Sequence, residues 1–138
     1  MKLYLLLIGC LISIAGFSQN KTEVTGNWKV KQVMIPEEFK HYKGGEPQKI
    51  EKTFLQSQFH FNADGTCKFD TPEKEMQFKN TTWTFKEKDK SIIINGEDIN
   101  RQKGALMKLF VSIKDNKWYF AMDEAPVILE VQKITAAQ

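Results

Sequence analysis

VTGNWKVKQVMI, residues 24–35, is the stretch that decides the fold. Trp28 and Val30 alternate with Asn27 and Lys29, the period of two that marks a strand with one buried face. Val33 and Ile35 lie on the opposite parity, so a β-bulge near Lys31-Gln32 is needed to bring both pairs to one side. Gly26 stands two residues before the first tryptophan. In a small barrel this pair builds a floor. The glycine lets the first strand approach its neighbour closely, and one large inward ring fills the closed end.

The same period runs through the rest of the chain. Leu55, Ser57, Phe59 and Phe61 alternate with Gln56, Gln58 and His60. Asp64-Gly65 then signals a hairpin, because glycine accepts the positive φ such turns require, and Cys67 and Phe69 continue the next strand. After a break at Thr71-Pro72-Glu73-Lys74, Met76 and Phe78 resume the alternation, followed by Trp83 and Phe85. The charged run Lys86 to Lys90 reads as a hairpin tip leading into Ile92, Ile93 and Ile94, which Asn95-Gly96 ends. Met107, Leu109, Val111 and Ile113 share one parity; Asp115-Asn116 is a tight turn into Trp118, Phe120 and Met122. Pro126 precedes a last strand with Leu129 and Val131 alternating with Glu130 and Gln132. No strand needs a long crossover, so the expected fold is all-β: an antiparallel up-and-down barrel of about eight strands.

One connection is long. Pro36 to Lys52 shows little alternation and holds Gly44-Gly45 and Pro47. Pro36-Glu37-Glu38 suits the start of a short helix, with proline first and acids in the first turn. Phe39 and Tyr42, three apart, would share one of its faces, as a lid over one barrel end or as a plug sealing it.

The N-terminus reads as an address. Lys2 gives a positive start, Leu3 to Ala15 is apolar apart from Gly9, Cys10 and Ser13, and Gly16-Phe17-Ser18 places small residues before Gln19. This is the pattern of a secretory signal peptide over residues 1–18, leaving 19–138 as one barrel domain. The apolar run is shorter than the roughly 20 residues of a membrane span. Leu7-Ile8-Gly9-Cys10 also reads as a lipobox, in which Cys10 would be lipidated; the apolar Leu11-Ile12-Ser13-Ile14 that follows differs from the polar tether usual in lipoproteins. Either ending exports the protein, to be periplasmic, secreted or, through Cys10, anchored in a membrane. After cleavage Cys67 is the one cysteine, so no internal disulfide forms and the fold rests on its core. The chain carries 20 Lys and Arg against 17 Asp and Glu, interspersed. A nucleic-acid partner is not expected, since it calls for positive charge concentrated on one face.

The chain resembles the lipocalin-like proteins of Gram-negative bacteria, within the calycin superfamily. The resemblance is carried by GNWKV (26–30), FHFNADGTCKF (59–69) and TTWTFKEKDKSIIIN (81–95), and covers roughly Thr25 to Lys133. The stretch GNWKVKQVMIPEEFKHYKGG (26–45) also looks a little like intracellular fatty-acid-binding proteins, which are not secreted through a signal peptide. The first likeness implies a lipocalin-like barrel that binds a small apolar molecule.

The residues allow two states of such a barrel. Trp28, Phe59, Phe61, Phe69, Trp83, Phe85, Leu109, Val111, Trp118 and Phe120 all take plausible inward positions, with Phe39 and Tyr42 over the entrance. If these side chains line an open cavity, it suits a small hydrophobic ligand. If they interdigitate, the barrel is packed solid and works through its outer face, through residues such as Phe110 and Tyr119. Chemistry is less well served. His41, His60 and Cys67 fall at no recognised metal spacing, and no cofactor is expected. His60, between Phe59 and Phe61, points outward, whereas Cys67 shares parity with Phe69 and reads as a small buried hydrophobe. Asp64, Glu87, Asp89, Asp115, Asp123 and Glu124 sit in turns, and Ser57 and Ser112 lack a matching His and Asp, so no catalytic residue is assigned and a non-enzymatic binding protein is expected.

Overall fold

The alternation is realised as eight strands in one antiparallel sheet, in a computed structural model that describes residues 20–39 and 46–134. A one-turn helix α1 (Lys21–Val24) precedes β1 (Gly26–Met34). A 3₁₀ turn at Glu37–Phe39 and helix α2 (Glu46–Leu55) follow, then β2 (Gln58–Phe61) and β3 (Cys67–Asp70). A second 3₁₀ turn, Lys74–Met76, leads to β4 (Lys79–Lys86), β5 (Ser91–Glu97), β6 (Lys103–Lys114), β7 (Lys117–Met122) and β8 (Ile128–Ile134). The spatial order β3-β2-β1-β8-β7-β6-β5-β4 is an up-and-down meander in which the last strand returns to the first. Residues 1–18, read from the sequence as a signal peptide, and Tyr42 lie outside the described residues.

The ring nearly closes between β3 and β4. Thr66 bridges Thr82, the Trp83 N–H donates to the Gly65 carbonyl at 2.9 Å, and the Thr81 hydroxyl donates to the Cys67 carbonyl. Elsewhere the ladders are continuous apart from local register shifts.

The bulge in β1 stands where the parity change requires it. Register shifts between Val30 and Gln32, so Val30 pairs with Val131 and Val33 with Leu129, all four buried. Asp115 and Asn116 take φ of 53° and 63°, the conformation of a two-residue hairpin whose twist matches the strands it joins. Gly65 has φ of 92°, while Asp64 Oδ1 accepts from the Thr66 backbone N–H at 3.0 Å and fixes the other side of that turn.

Four expectations change. Met76 and Phe78 do not resume a strand: Met76 closes the second 3₁₀ turn, and β4 starts at Lys79. Leu55 does not begin a strand; it ends α2 and is exposed, and β2 starts at Gln58. At Pro36, where a short helix is expected, the described residues form a 3₁₀ turn over Glu37–Phe39, and the longer helix of this connection lies further on. It is α2, with Pro47 in its first turn, where a missing N–H costs nothing, and Ile50 and Phe54 four apart on one face. Asn95-Gly96 does not end β5 either: the strand runs to Glu97, and the turn is built around Asp98, whose Oδ1 accepts from the N–H groups of Asn100 and Gln102.

Candidate functional site

The barrel interior is filled with rings. Trp28, Phe59, Phe61, Phe69, Trp83, Leu109, Val111 and Phe120 are buried, and Phe85 and Trp118 are half-buried against them. Phe120 lies at the centre: its ring centroid is 5.5 Å from Trp28, 5.7 Å from Phe59 and 6.3 Å from Phe61. Phe61 meets Trp83 at 5.0 Å, and Phe59 meets Phe69 at 4.8 Å. These spacings and tilts are those of aromatic groups in van der Waals contact. The sequence-derived wall residues therefore come together, and they do so by interdigitating.

The two ends are closed differently. At one end, Trp28 Nε1 donates to the Val24 carbonyl at 2.8 Å, which ties α1 across the opening. Lys133 lies on the inward parity of β8, pairs with Trp28, and donates from Nζ to the Glu23 carbonyl at 2.6 Å. Its ammonium sits 5.1 Å from the Trp28 ring centroid. Burial holds the Lys133 ammonium below the usual lysine range, with the Glu23 carboxylate opposing that effect. Lys21 covers Trp83 in the same way at 5.4 Å. The sequence reading missed Lys133, although its parity with Leu129 and Val131 was the available signal.

At the other end α2 is a plug. Phe54 is buried, with its centroid 6.0 Å from that of Phe69. Ser57, also buried, donates to the Thr53 carbonyl at 2.7 Å and stands 3.0 Å from the Thr71 hydroxyl. Between α2, the 3₁₀ turn and the β7–β8 connection lies a groove of about 420 Å³. Among the described residues it is lined by Ile35, Phe39, Pro47, Ile50, Ala125, Pro126 and Val127, with Glu124 as the one ionisable residue. Phe39 lines this groove.

Polar chemistry inside is sparse. Among the described residues every buried side-chain nitrogen or oxygen has a hydrogen-bond partner, and no three His, Cys, Asp or Glu side chains gather as a metal site. Burial pushes the Cys67 thiol up, which the Thr81 hydrogen bond only partly offsets, so thiolate is disfavoured. His60 faces outward, with Nδ1 2.7 Å from Asn27 Oδ1. Among the described residues no helix is long and apolar enough to cross a membrane.

No family model, no curated protein and no solved structure matches the chain. The functional reading rests on the geometry alone.

Proposed function

We propose that the protein is a non-enzymatic binding protein that holds a small apolar molecule at the α2-capped mouth of its barrel. One observation carries this reading. The rings expected to wall a cavity contact one another, whereas the mouth offers a groove of about 420 Å³ whose lining, among the described residues, is apolar except for Glu124. That volume lies within the roughly 300–1,000 Å³ of small-molecule sites, and such sites are mostly apolar with few polar groups. The ligand takes the place in a lipocalin-like barrel nearest to Phe39 rather than among Phe59, Phe61 and Phe120. The leader-like N-terminus supports export to the periplasm or beyond, where a carrier of apolar molecules has use. Titration with the neutral dye N-phenyl-1-naphthylamine tests the reading, together with native mass spectrometry of protein purified from its own compartment. Binding to the wild type, weakened about tenfold by Phe39→Asp with the urea midpoint unchanged and weakened likewise by Ile50→Asp at dye concentrations where that variant is still folded, is the expected result. Binding that survives both changes overturns it.

A second reading has its own observation. Phe110, Ala121, Ile128 and Met34 are cross-strand partners in one row over β6, β7, β8 and β1, on the outer wall, with Ile128 exposed. An apolar row on a wetted face is the feature of a protein-interaction module. Concentration-dependent sedimentation of wild type and Ile128→Lys separates it from the first.

A further inference from the structure

The end opposite the mouth carries a second groove, produced by a mismatch in strand length. Pairing between β7 and β8 reaches Trp118–Val131, but β8 runs on to Ile134. β8 therefore outruns its neighbour and leaves a notch beside the Asp115-Asn116 turn, with a volume of about 560 Å³. Its aromatic part is Trp118, half-buried, packed 5.0 Å from the buried Trp28 at an interplanar angle of 51°. Its charged part is cationic. Lys31, Lys117 and Lys133 line it against two carboxylates, Glu23 and Glu130, and Glu130 already lies 4.0 Å from Lys117. Lys31, displaced by the β1 bulge, makes no ion pair among the described residues.

We infer that this notch is a binding site for a flat aromatic molecule bearing an anionic group, such as a carboxylate or sulfonate. The ring system lies against Trp118, and the anion meets the ammonium groups of Lys31 and Lys133. Each half of the ligand answers one half of the lining. An indole offers a flat, polarisable, apolar surface to another ring. A lysine partly withdrawn from water gains more from an anion than a fully solvated one, because screening is weaker there. The Lys133 ammonium also rests 5.1 Å from the Trp28 ring centroid and, among the described residues, donates to the Glu23 carbonyl. Among the described residues the mouth groove has the opposite preference, since its charged group there is a carboxylate, Glu124. The two ends of the barrel therefore select different ligands, and this site stands whether or not the mouth binds anything.

A matched pair of dyes tests it on the mature protein. 1-Anilinonaphthalene-8-sulfonate carries the anion, and N-phenyl-1-naphthylamine is the same skeleton without it. The expected result is sulfonate binding that falls about fivefold in Lys31→Glu, an exposed change that leaves the urea midpoint in place, and falls again in Trp118→Leu. Added salt weakens it, and Phe39→Asp at the mouth leaves it within about twofold. Sulfonate affinity unmoved by both Lys31→Glu and Trp118→Leu overturns the inference, as does its loss in Phe39→Asp or the absence of binding at millimolar dye.

Discussion

The side chain of Lys133 lies across Gly26, with its Cε 3.2 Å from where a β-carbon on that glycine would stand. The pair accounts for the G-x-W spacing more fully than strand approach does. Gly26 has φ of 136°, a conformation L side chains rarely adopt, and it leaves a clear path for the lysine stem on its way to the Glu23 carbonyl. Trp28 then serves as the surface on which the ammonium rests.

Gly26→Ala is expected to lose about 1–3 kcal/mol, mostly from the backbone conformation. The contact with Lys133 contributes less, because the atom in the way belongs to a flexible stem. Urea denaturation of Gly26→Ala, Lys133→Ala and the double variant separates the two: Lys133→Ala should relieve only a small part of the glycine defect.

Phe120→Ala is expected to cost about 3–5 kcal/mol. The ring is fully buried and touches Trp28, Phe59 and Phe61, so its removal leaves a void that these neighbours cannot all collapse into. Phe85→Ala, at the half-buried margin of the core, should cost less. Equilibrium unfolding of both variants checks the ranking. Equal losses would mean that the centre of the barrel is not where the packing is tightest.

Stability should fall in acid through the turn carboxylates. Hydrogen bonds from the Thr66 hydroxyl and backbone N–H hold the Asp64 carboxyl below its ordinary 3.8, and the Ser91 hydroxyl does the same for Asp89. A folded-state value below the unfolded one stabilises the native chain above about pH 4 and is lost as pH falls through the folded value. Asp64→Asn should therefore be less stable than the wild type at about pH 6, and the gap should close towards about pH 2. Urea midpoints across that range measure it, and a gap independent of pH would contradict the assignment.

Much of this was legible in the sequence, and the reasons are local. The bulge follows from the parity of Trp28 and Val30 against Val33 and Ile35, and the Asp115-Asn116 and Asp64-Gly65 turns follow from residues that tolerate positive φ. Helix α2 was hidden because Leu55 continues the alternation of Ser57, Phe59 and Phe61, so a period of two masked the four-residue spacing of Ile50 and Phe54. Lys133 was hidden by its charge: a lysine on the inward parity of a strand is unusual, and here, at the barrel rim, its ammonium stays exposed while resting on the Trp28 ring and donating to the Glu23 carbonyl. Whether the rings stack or stand apart is a matter of volumes and angles across five strands, which alternation within one strand does not encode.

The seam between β3 and β4 bears on how the protein meets its own copies. A sheet closed by one bridge leaves parts of two strand edges without partners, and such edges template pairing with another chain. Here the template is poor. β3 is only 4 residues long and carries Lys68 and Asp70 exposed, while β4 opens with Lys79 and with Asn80 at φ of 52°, a kink that a straight incoming strand cannot follow. The incomplete ring thus carries its own guard against growing into a fibre.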